Sequence, residues 1–254
     1  MNDRMFDLTG RKALITGSSQ GIGKAIAECF AAYGATVFIH ASADPAKSLG
    51  VAAAIRARGQ QAHSGVANLA DADAPERLYS QVVAAMGEPD ILVLNASVQI
   101  RSSWQEITLE QINRQLQVNL VASTRLIQLF EPGMAARGWG RIVTVGSIQQ
   151  YKPHKDMLIY AASKAAQMNL VSNLAKQISA SGVTINNLSP GVIQTPRNEQ
   201  ALSDAEYHQK ILEGIPAGYA GLAEDLTGSA LLLCSDAGRY ITGIDLLVDG
   251  GMHL

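Results

Sequence analysis

Lys12-Ala13-Leu14-Ile15-Thr16-Gly17-Ser18-Ser19-Gln20-Gly21-Ile22-Gly23 is the stretch that decides the fold. Lys12 to Thr16 reads as a short buried strand, and Gly21 to Tyr33 reads as a helix. The turn between them has the spacing Gly-x-x-x-Gly-x-Gly, which differs from the Gly-x-Gly-x-x-Gly of the common dinucleotide fingerprint. A glycine lets the chain reverse sharply, and bare backbone lets a pyrophosphate come close. The helix start then offers unpaired N–H groups and the positive end of its dipole to phosphate. The plainer reading is a tight strand-to-helix turn with no ligand. The position of the turn, in the first βα unit of the chain, favours nucleotide binding.

Outward from that turn the same rhythm repeats. Strands are expected at Thr36 to His40, Gln61 to Val66, Ile91 to Asn95, Arg141 to Gly146, Thr184 to Ser189 and Asp245 to Asp249. Helices are expected at about Pro45 to Arg58, Ala74 to Met86, Leu109 to Arg137, Ile159 to Ser179 and Glu224 to Cys234. Such alternation implies an α/β fold: a doubly wound parallel sheet of Rossmann type, in three αβα layers. Neither a linker nor a repeat interrupts it, so 1–254 is read as a single dinucleotide-binding domain. The Pro- and Gly-punctuated stretch from Pro190 to Gly221 is long for a connection, and its part at about 195–219 is expected to be a lid over a substrate.

Composition narrows the classes. The chain has 254 residues, 47% of them hydrophobic, enough for a large core. A formal net charge of −2 argues against nucleic acid or an anionic membrane as partner. Cys29 and Cys234, two widely separated thiols in apolar stretches, suggest inert buried side chains rather than a disulfide framework, and no metal is expected. With no signal-peptide core and no apolar run long enough to span a bilayer, the expected location is the cytoplasm.

Tyr160 and Lys164 stand four apart at the head of a helix, hence on one face. A phenol alone titrates near pH ~10, and an adjacent ammonium favours the phenolate needed for proton transfer. Ser147 follows a strand directly, which puts its hydroxyl at the carboxyl edge of the sheet, where open α/β folds bind ligands. A bare Tyr-x-x-x-Lys is usually a surface pair; the upstream Ser and glycine turn favour a catalytic set.

With those residues in place the chain resembles the short-chain dehydrogenase/reductase (SDR) family, in the branch that holds 3-oxoacyl-carrier-protein reductases and gluconate 5-dehydrogenases. Thr16 to Gly23 resembles its T-G-x-x-x-G-x-G, and Ser147, Tyr160 and Lys164 its Ser…Tyr-x-x-x-Lys. Asn119 matches the helix asparagine of its catalytic tetrad, and Leu94-Asn95-Ala96-Ser97 resembles its N-N-A-G, with Leu94 and Ser97 departing from it. Ser189-Pro190-Gly191 with Ile193 and Thr195, and Val248-Asp249-Gly250-Gly251, resemble its remaining motifs. The resemblance implies an NAD(P)-dependent oxidoreductase that interconverts a secondary alcohol and a ketone. It implies that Ser147 fixes the substrate oxygen and Tyr160 moves its proton. Lys164 would hold the nicotinamide ribose and favour the phenolate, and Asn119 would hold a relay water. It further implies a cofactor site built from Gly17, Ser19, Gln20, Gly21, Ile22, Gly23, Ala41, Ser42, Asn68, Asn95, Ala96, Ser97, Tyr160, Lys164, Pro190, Gly191, Val192, Ile193 and Thr195.

The substrate is read less sharply. Gln99, Arg101, Gln149, Gln150, Tyr151 and His154 are candidate walls beside Ser147 and Tyr160, although each could be a solvated loop residue. Arg101 and His154 hint at an anionic substrate and the glutamines at hydroxyl groups, which favours a sugar, polyol or oxoacid. A 3-oxoacyl-carrier-protein reductase is the alternative, with Arg101 or Arg125 facing an acidic carrier. Readings from further classes are a non-catalytic redox-sensing scaffold, which would have no need of the intact tetrad, and an epimerase or dehydratase, for which the chain looks short.

Cofactor choice turns on the tip of the second strand, His40-Ala41-Ser42-Ala43-Asp44. An acidic residue there would repel the 2′-phosphate of NADP; Ala41 does not. Gln20 supplies no cation either, and Asp44 reads as a helix cap. The expectation is NADP(H) slightly favoured over NAD(H). Surplus apolar faces on Leu109 to Arg137 and Ile159 to Ser179 predict a homotetramer of dihedral symmetry.

Overall fold

The structure, a computed structural model, describes residues 3–199 and 203–254. Seven strands, β1 (Lys12–Ile15), β2 (Thr36–Ala41), β3 (Ala62–Val66), β4 (Ile91–Leu94), β5 (Gly140–Val145), β6 (Val183–Pro190) and β7 (Asp245–Val248), form one sheet in the order 3-2-1-4-5-6-7. Every neighbouring pair is parallel. The helices are α1 (Gly21–Ala32), α2 (Pro45–Ala57), α3 (Ala74–Met86), α4 (Leu109–Leu116), α5 (Ala122–Ala136), α6 (Leu158–Ile178), α7 (Ala205–Glu213) and α8 (Thr227–Cys234).

The inner strands β1, β2, β4, β5 and β6 are buried on both faces, whereas the edge strands β3 and β7 are mostly half-buried; double burial is why β1, β2, β4 and β5 read as apolar runs rather than as alternation. Ile15, Val37, Ile39 and Val93 point to one face, with Ile26 and Phe30 of α1, Ile55 of α2 and Leu233 of α8. Leu14, Phe38, Leu92 and Ile142 point to the other, with Leu78 of α3, Phe130 of α5 and Val171 of α6. These are the three layers of the doubly wound fold. Strand order reverses between β1 and β4, and at such a switch point the βα loops part and leave a crevice at the carboxyl edge.

Two expectations change in detail. Leu109 to Arg137 is not one regular helix: a π-helical turn at Gln117–Val121 separates α4 from α5, with Ala122 N–H reaching back to the Gln117 carbonyl. In the Pro190 to Gly221 connection, α7 takes up the expected helical pattern, whose start at Ala201 lies outside the described residues. Asp44 caps α2 by accepting from Ala46 N–H at 2.9 Å, so it is not turned toward a ribose. Cys234 is fully buried and Cys29 half-buried, and burial pushes both thiols up. Among the described residues no helix is long and apolar enough to cross a membrane.

Candidate active site

The crevice is a cleft of about 810 Å³ running along the carboxyl edge from the glycine turn to the start of α6. Its left wall is the turn itself. Gly17 has φ +63°, and a Cβ there would sit 2.9 Å from the Ala96 backbone, so only glycine fits. A side chain at Gly23 would collide with the Asn95 amide, which explains why Gly23 is needed although it does not face the cleft. Thr16 ties the turn to the β4 exit: its hydroxyl accepts from Asn95 N–H and Ala96 N–H at 3.0 Å each. Asn95 returns both amide hydrogens, to the carbonyls of Thr16 and Gly17 at 2.9 Å. Gln20 is the N-cap of α1 but makes no side-chain cap bond, so the first N–H groups of α1 are left to a ligand.

A residue not singled out by sequence stiffens this wall. His40, at the end of β2, accepts from Gly17 N–H on Nδ1 at 2.9 Å and donates from Nε2 to the Ala67 carbonyl at 2.8 Å. Because Gly17 N–H is the donor, the proton must sit on Nε2. Burial pulls the imidazole down to about 4, against the opposing pull of the Ala67 carbonyl, so it stays neutral. A histidine at a strand end carries no sequence signal for this task; the partner is twenty-three residues away.

The right wall holds the proton-transfer groups. Ser147, directly after β5, accepts from Gln149 N–H at 3.2 Å, which leaves its O–H to be given to a ligand. Tyr160 and Lys164 lie on the first turns of α6, and the Lys164 ammonium is 5.8 Å from the Tyr160 ring centre. Lys164 is only 1% exposed and donates to the Val145 carbonyl at 2.6 Å and to Gln167 Oε1 at 3.1 Å. Burial, and then the nearby Arg197 charge, lower it from 10.5 to about 7. Ser147 and Tyr160 line the cleft, and Lys164 sits behind them, anchoring the end of β5.

Asn119 sits in the π-helical turn and faces the β4 exit. Its Oδ1 accepts from Val98 N–H at 2.8 Å; its Nδ2 donates to the Val98 carbonyl at 2.9 Å and to Ser163 Oγ at 3.0 Å. Both amide hydrogens are therefore spent on the wall of the cleft and on α6.

Among the expected cofactor residues, Gly17, Ser19, Gln20, Gly21, Ile22, Ser42, Asn68, Asn95, Ala96, Ser97, Pro190, Gly191, Val192, Ile193 and Thr195 line the cleft. Ala41 is buried beside it, in β2. Of the expected substrate walls, Gln99, Arg101, Gln149 and His154 line it. His154 is held by Asp156 N–H, and its own N–H donates to Gln149 Oε1 at 2.6 Å. Gln150 and Tyr151 do not line it: both turn to Asp245 of β7, Tyr151 donating at 2.8 Å, because that carboxylate also gathers Asn187 and Ser189. Burial first, and then Asp245, push the Tyr151 phenol up. Arg125 is engaged by Glu76 at 2.6 Å on the outer surface, away from the cleft. Sequence reading missed the charge of the mouth: Arg114, Lys152, Lys155, Arg197 and Lys210 join Arg101 there, and among the described lining residues none is Asp or Glu.

Comparison with known proteins finds relatives along nearly the whole chain. The family model described as enoyl-(acyl carrier protein) reductase matches residues 17–253. A gluconate 5-dehydrogenase of Gluconobacter oxydans is 33% identical over 252 residues, covering 98% of this chain and 96% of its own. A 3-oxoacyl-(acyl-carrier-protein) reductase of Agrobacterium tumefaciens, crystallised with NADP bound, is 38% identical with a TM-score of 0.94, covering 99% of this chain and 97% of its own. A gluconate 5-dehydrogenase of Burkholderia cenocepacia, in complex with NADP and tartrate, is 31% identical with a TM-score of 0.93, covering 98% and 97%.

Proposed function

This chain belongs to the short-chain dehydrogenase/reductase family, and from that premise we propose that it interconverts a secondary alcohol and a ketone with NADP(H), on a small polyhydroxy acid or oxoacid. The observation that carries the reading is one cleft that holds Ser147 and Tyr160 at one end and the glycine turn over the uncapped start of α1 at the other. The residues fit a dinucleotide: the bare backbone of Gly17 and Gly21 lines the cleft, the uncapped start of α1 is open to phosphate, and among the described residues no carboxylate lines the Ser42 end. When bound, that cofactor gives or accepts the hydride.

The chain's own groups do the rest. Ser147 donates to the substrate oxygen and fixes it. Tyr160 protonates that oxygen in reduction and deprotonates it in oxidation. Lys164, held on Val145 and Gln167, stands beside the Tyr160 ring and favours its phenolate form when protonated. Asn119 acts by position: it pins Val98 and α6, and its Oδ1, which accepts from Val98 N–H, keeps a lone pair for a relay water. The cationic mouth favours an anionic substrate. It also suits the acidic carrier of the second reading, a 3-oxoacyl-carrier-protein reductase, for which Arg114, Lys155 and Lys210 would be the contact.

The assembly is proposed to be a homotetramer in the cytoplasm. The support is the groove on the outer side of α5 and α6, where Leu120, Val121, Ala166, Leu170 and Leu174 line an apolar surface and Val121 is half-exposed.

The test is NADPH oxidation with 5-keto-D-gluconate and with acetoacetyl-CoA, which separates the two readings. Tyr160→Phe should lose turnover by about 10² to 10⁴-fold, the usual worth of a general acid–base group, with NADPH affinity kept. Near-wild-type turnover by that variant would refute the assignment.

A further inference from the structure

Ser97 is the one departure in the β4-exit motif that faces the cleft, and the catalytic reading gives its hydroxyl nothing to do. The structure gives it a partner. Arg197, from the segment after β6, donates from Nη1 to Ser97 Oγ at 2.9 Å and from Nη2 to the Ser97 carbonyl at 2.8 Å. In the sheet, β5 lies between β4 and β6. The Arg197–Ser97 contact therefore spans the carboxyl end of β5, where Ser147 stands. Both residues line the cleft. The Arg197 charge is also felt by Lys164, which places the guanidinium within electrostatic reach of the catalytic groups.

A guanidinium carries five N–H donors in a rigid fork. Ser97 takes one from each terminal nitrogen, which fixes the plane of the group and leaves the others to a ligand. A glycine at 97 would keep only the carbonyl contact, so the hydroxyl is what turns one contact into a two-point grip. The segment carrying Arg197 is itself held: Asn198 Nδ2 donates to the Ile193 carbonyl at 2.8 Å, and Gln194 N–H donates to the Gly221 carbonyl at 2.8 Å. An oriented guanidinium in the same cleft as Ser147 and Tyr160, whose described lining holds no carboxylate, is matched in charge and shape by a planar oxyanion.

We propose that Arg197, oriented by Ser97, is the specificity residue that holds the carboxylate of the substrate while Ser147 and Tyr160 hold its reacting oxygen. This rests on the proposed oxidoreductase reading and narrows its substrate to a compound bearing a carboxylate within a few bonds of the alcohol or ketone. Lysine would keep the charge and lose the fork.

The experiment is calorimetry on the NADPH-loaded protein, in which an alcohol forms a dead-end complex and no turnover intrudes. The probes are D-gluconate and tartrate, with D-sorbitol as the neutral counterpart. The wild type should bind gluconate more tightly than sorbitol. Arg197→Gln should weaken gluconate and tartrate by about tenfold or more, as loss of a charge-assisted bidentate contact does, and leave sorbitol and NADPH within about twofold. Arg197→Lys should fall between. Ser97→Gly and Ser97→Ala should lose more of the carboxylate affinity than of the NADPH affinity. Equal weakening of NADPH and carboxylate by Arg197→Gln would overturn the inference, since the residue would then grip the cofactor. Equal wild-type affinity for gluconate and sorbitol would overturn it as well. Arg197-dependent carboxylate binding by a protein with no Tyr160-dependent turnover would uphold this inference and sink the proposed reaction instead.

Discussion

Replacing Lys164 by Met should change the pH dependence of stability, with a sign and window set by the structure. The ammonium is fully buried and is lowered from 10.5 to about 7, by burial first and then by Arg197. In the unfolded chain it titrates near ~10.4. Between those two values the unfolded state binds the proton and the folded state does not, so wild-type stability rises with pH across that window. Below pH ~7 both states are protonated and the burial penalty is fully present. The gap corresponds to a ceiling of about 5 kcal/mol, at about 1.4 kcal/mol for each pH unit crossed. Met removes this titration but orphans the Val145 carbonyl, a cost of about 1–3 kcal/mol that is independent of pH across the window. The informative quantity is therefore the slope. Urea unfolding of the cofactor-free protein, at one fixed concentration, should show the wild type gaining on Lys164→Met from pH 7 to 10. Other titrations, such as that of the Cys234 thiol, are common to both proteins and cancel. Arg197→Gln should raise the lower edge of the window, and so narrow it, by removing a like charge. Parallel stability curves from pH 7 to 10 would refute the account of Lys164.

Three further outcomes are expected. Ala41→Asp puts a carboxylate at the end of β2, one residue before the cleft-lining Ser42, and kcat/KM with each cofactor should move toward NADH by like-charge repulsion of the 2′-phosphate, from a modest NADPH preference in the wild type. Hydrogen exchange with and without NADPH should show added protection at 195–199 and 203–219, because Thr195, Arg197, Lys210, Ile211 and Gly214 border the cleft; equal protection would argue for a fixed insert. Light scattering at micromolar concentration should give the tetramer mass, and Leu170→Glu on the outer face of α6 should lower it.

The fold was readable because its signals are local. A parallel strand buried on both faces is an apolar run, and a βα unit repeats its strand and helix periods within about thirty residues. Ser147, Tyr160 and the glycine turn were readable for the same reason, since each is marked by a strand end or a helix start. Gln150 and Tyr151 were misplaced as substrate walls because their neighbour Ser147 faces the cleft, whereas what turns them away, Asp245, lies ninety-four residues beyond Tyr151. His40 and Arg197 went unremarked for the converse reason. Their partners, Gly17 and Ser97, are brought to them only by the stacking of β1, β2, β4 and β6. Periodicity reports which face a residue is on; it carries no information about the polar atom that arrives there from another strand.

The irregular turn before α5 follows from the same long-range logic. A regular α-helical ladder through Gln117–Val121 would satisfy that backbone locally and have no need of partners. At Gln117–Val121 the ladder widens to a π-turn, a costly form that recurs at functional sites. What holds it there is Asn119, whose amide makes three contacts, two with the Val98 backbone and one with Ser163 of α6. The same residue thus ties the β4 exit, where Ser97 grips Arg197, to the helix that carries Tyr160 and Lys164. Asn119→Leu should free the helix to relax into regular α geometry and unfasten Val98. The expected signature is loss of kcat together with a shift of the 97–99 loop in hydrogen exchange, while the fold stays intact by circular dichroism. A variant with unchanged exchange at that loop but lost kcat would instead assign Asn119 a direct part in proton movement.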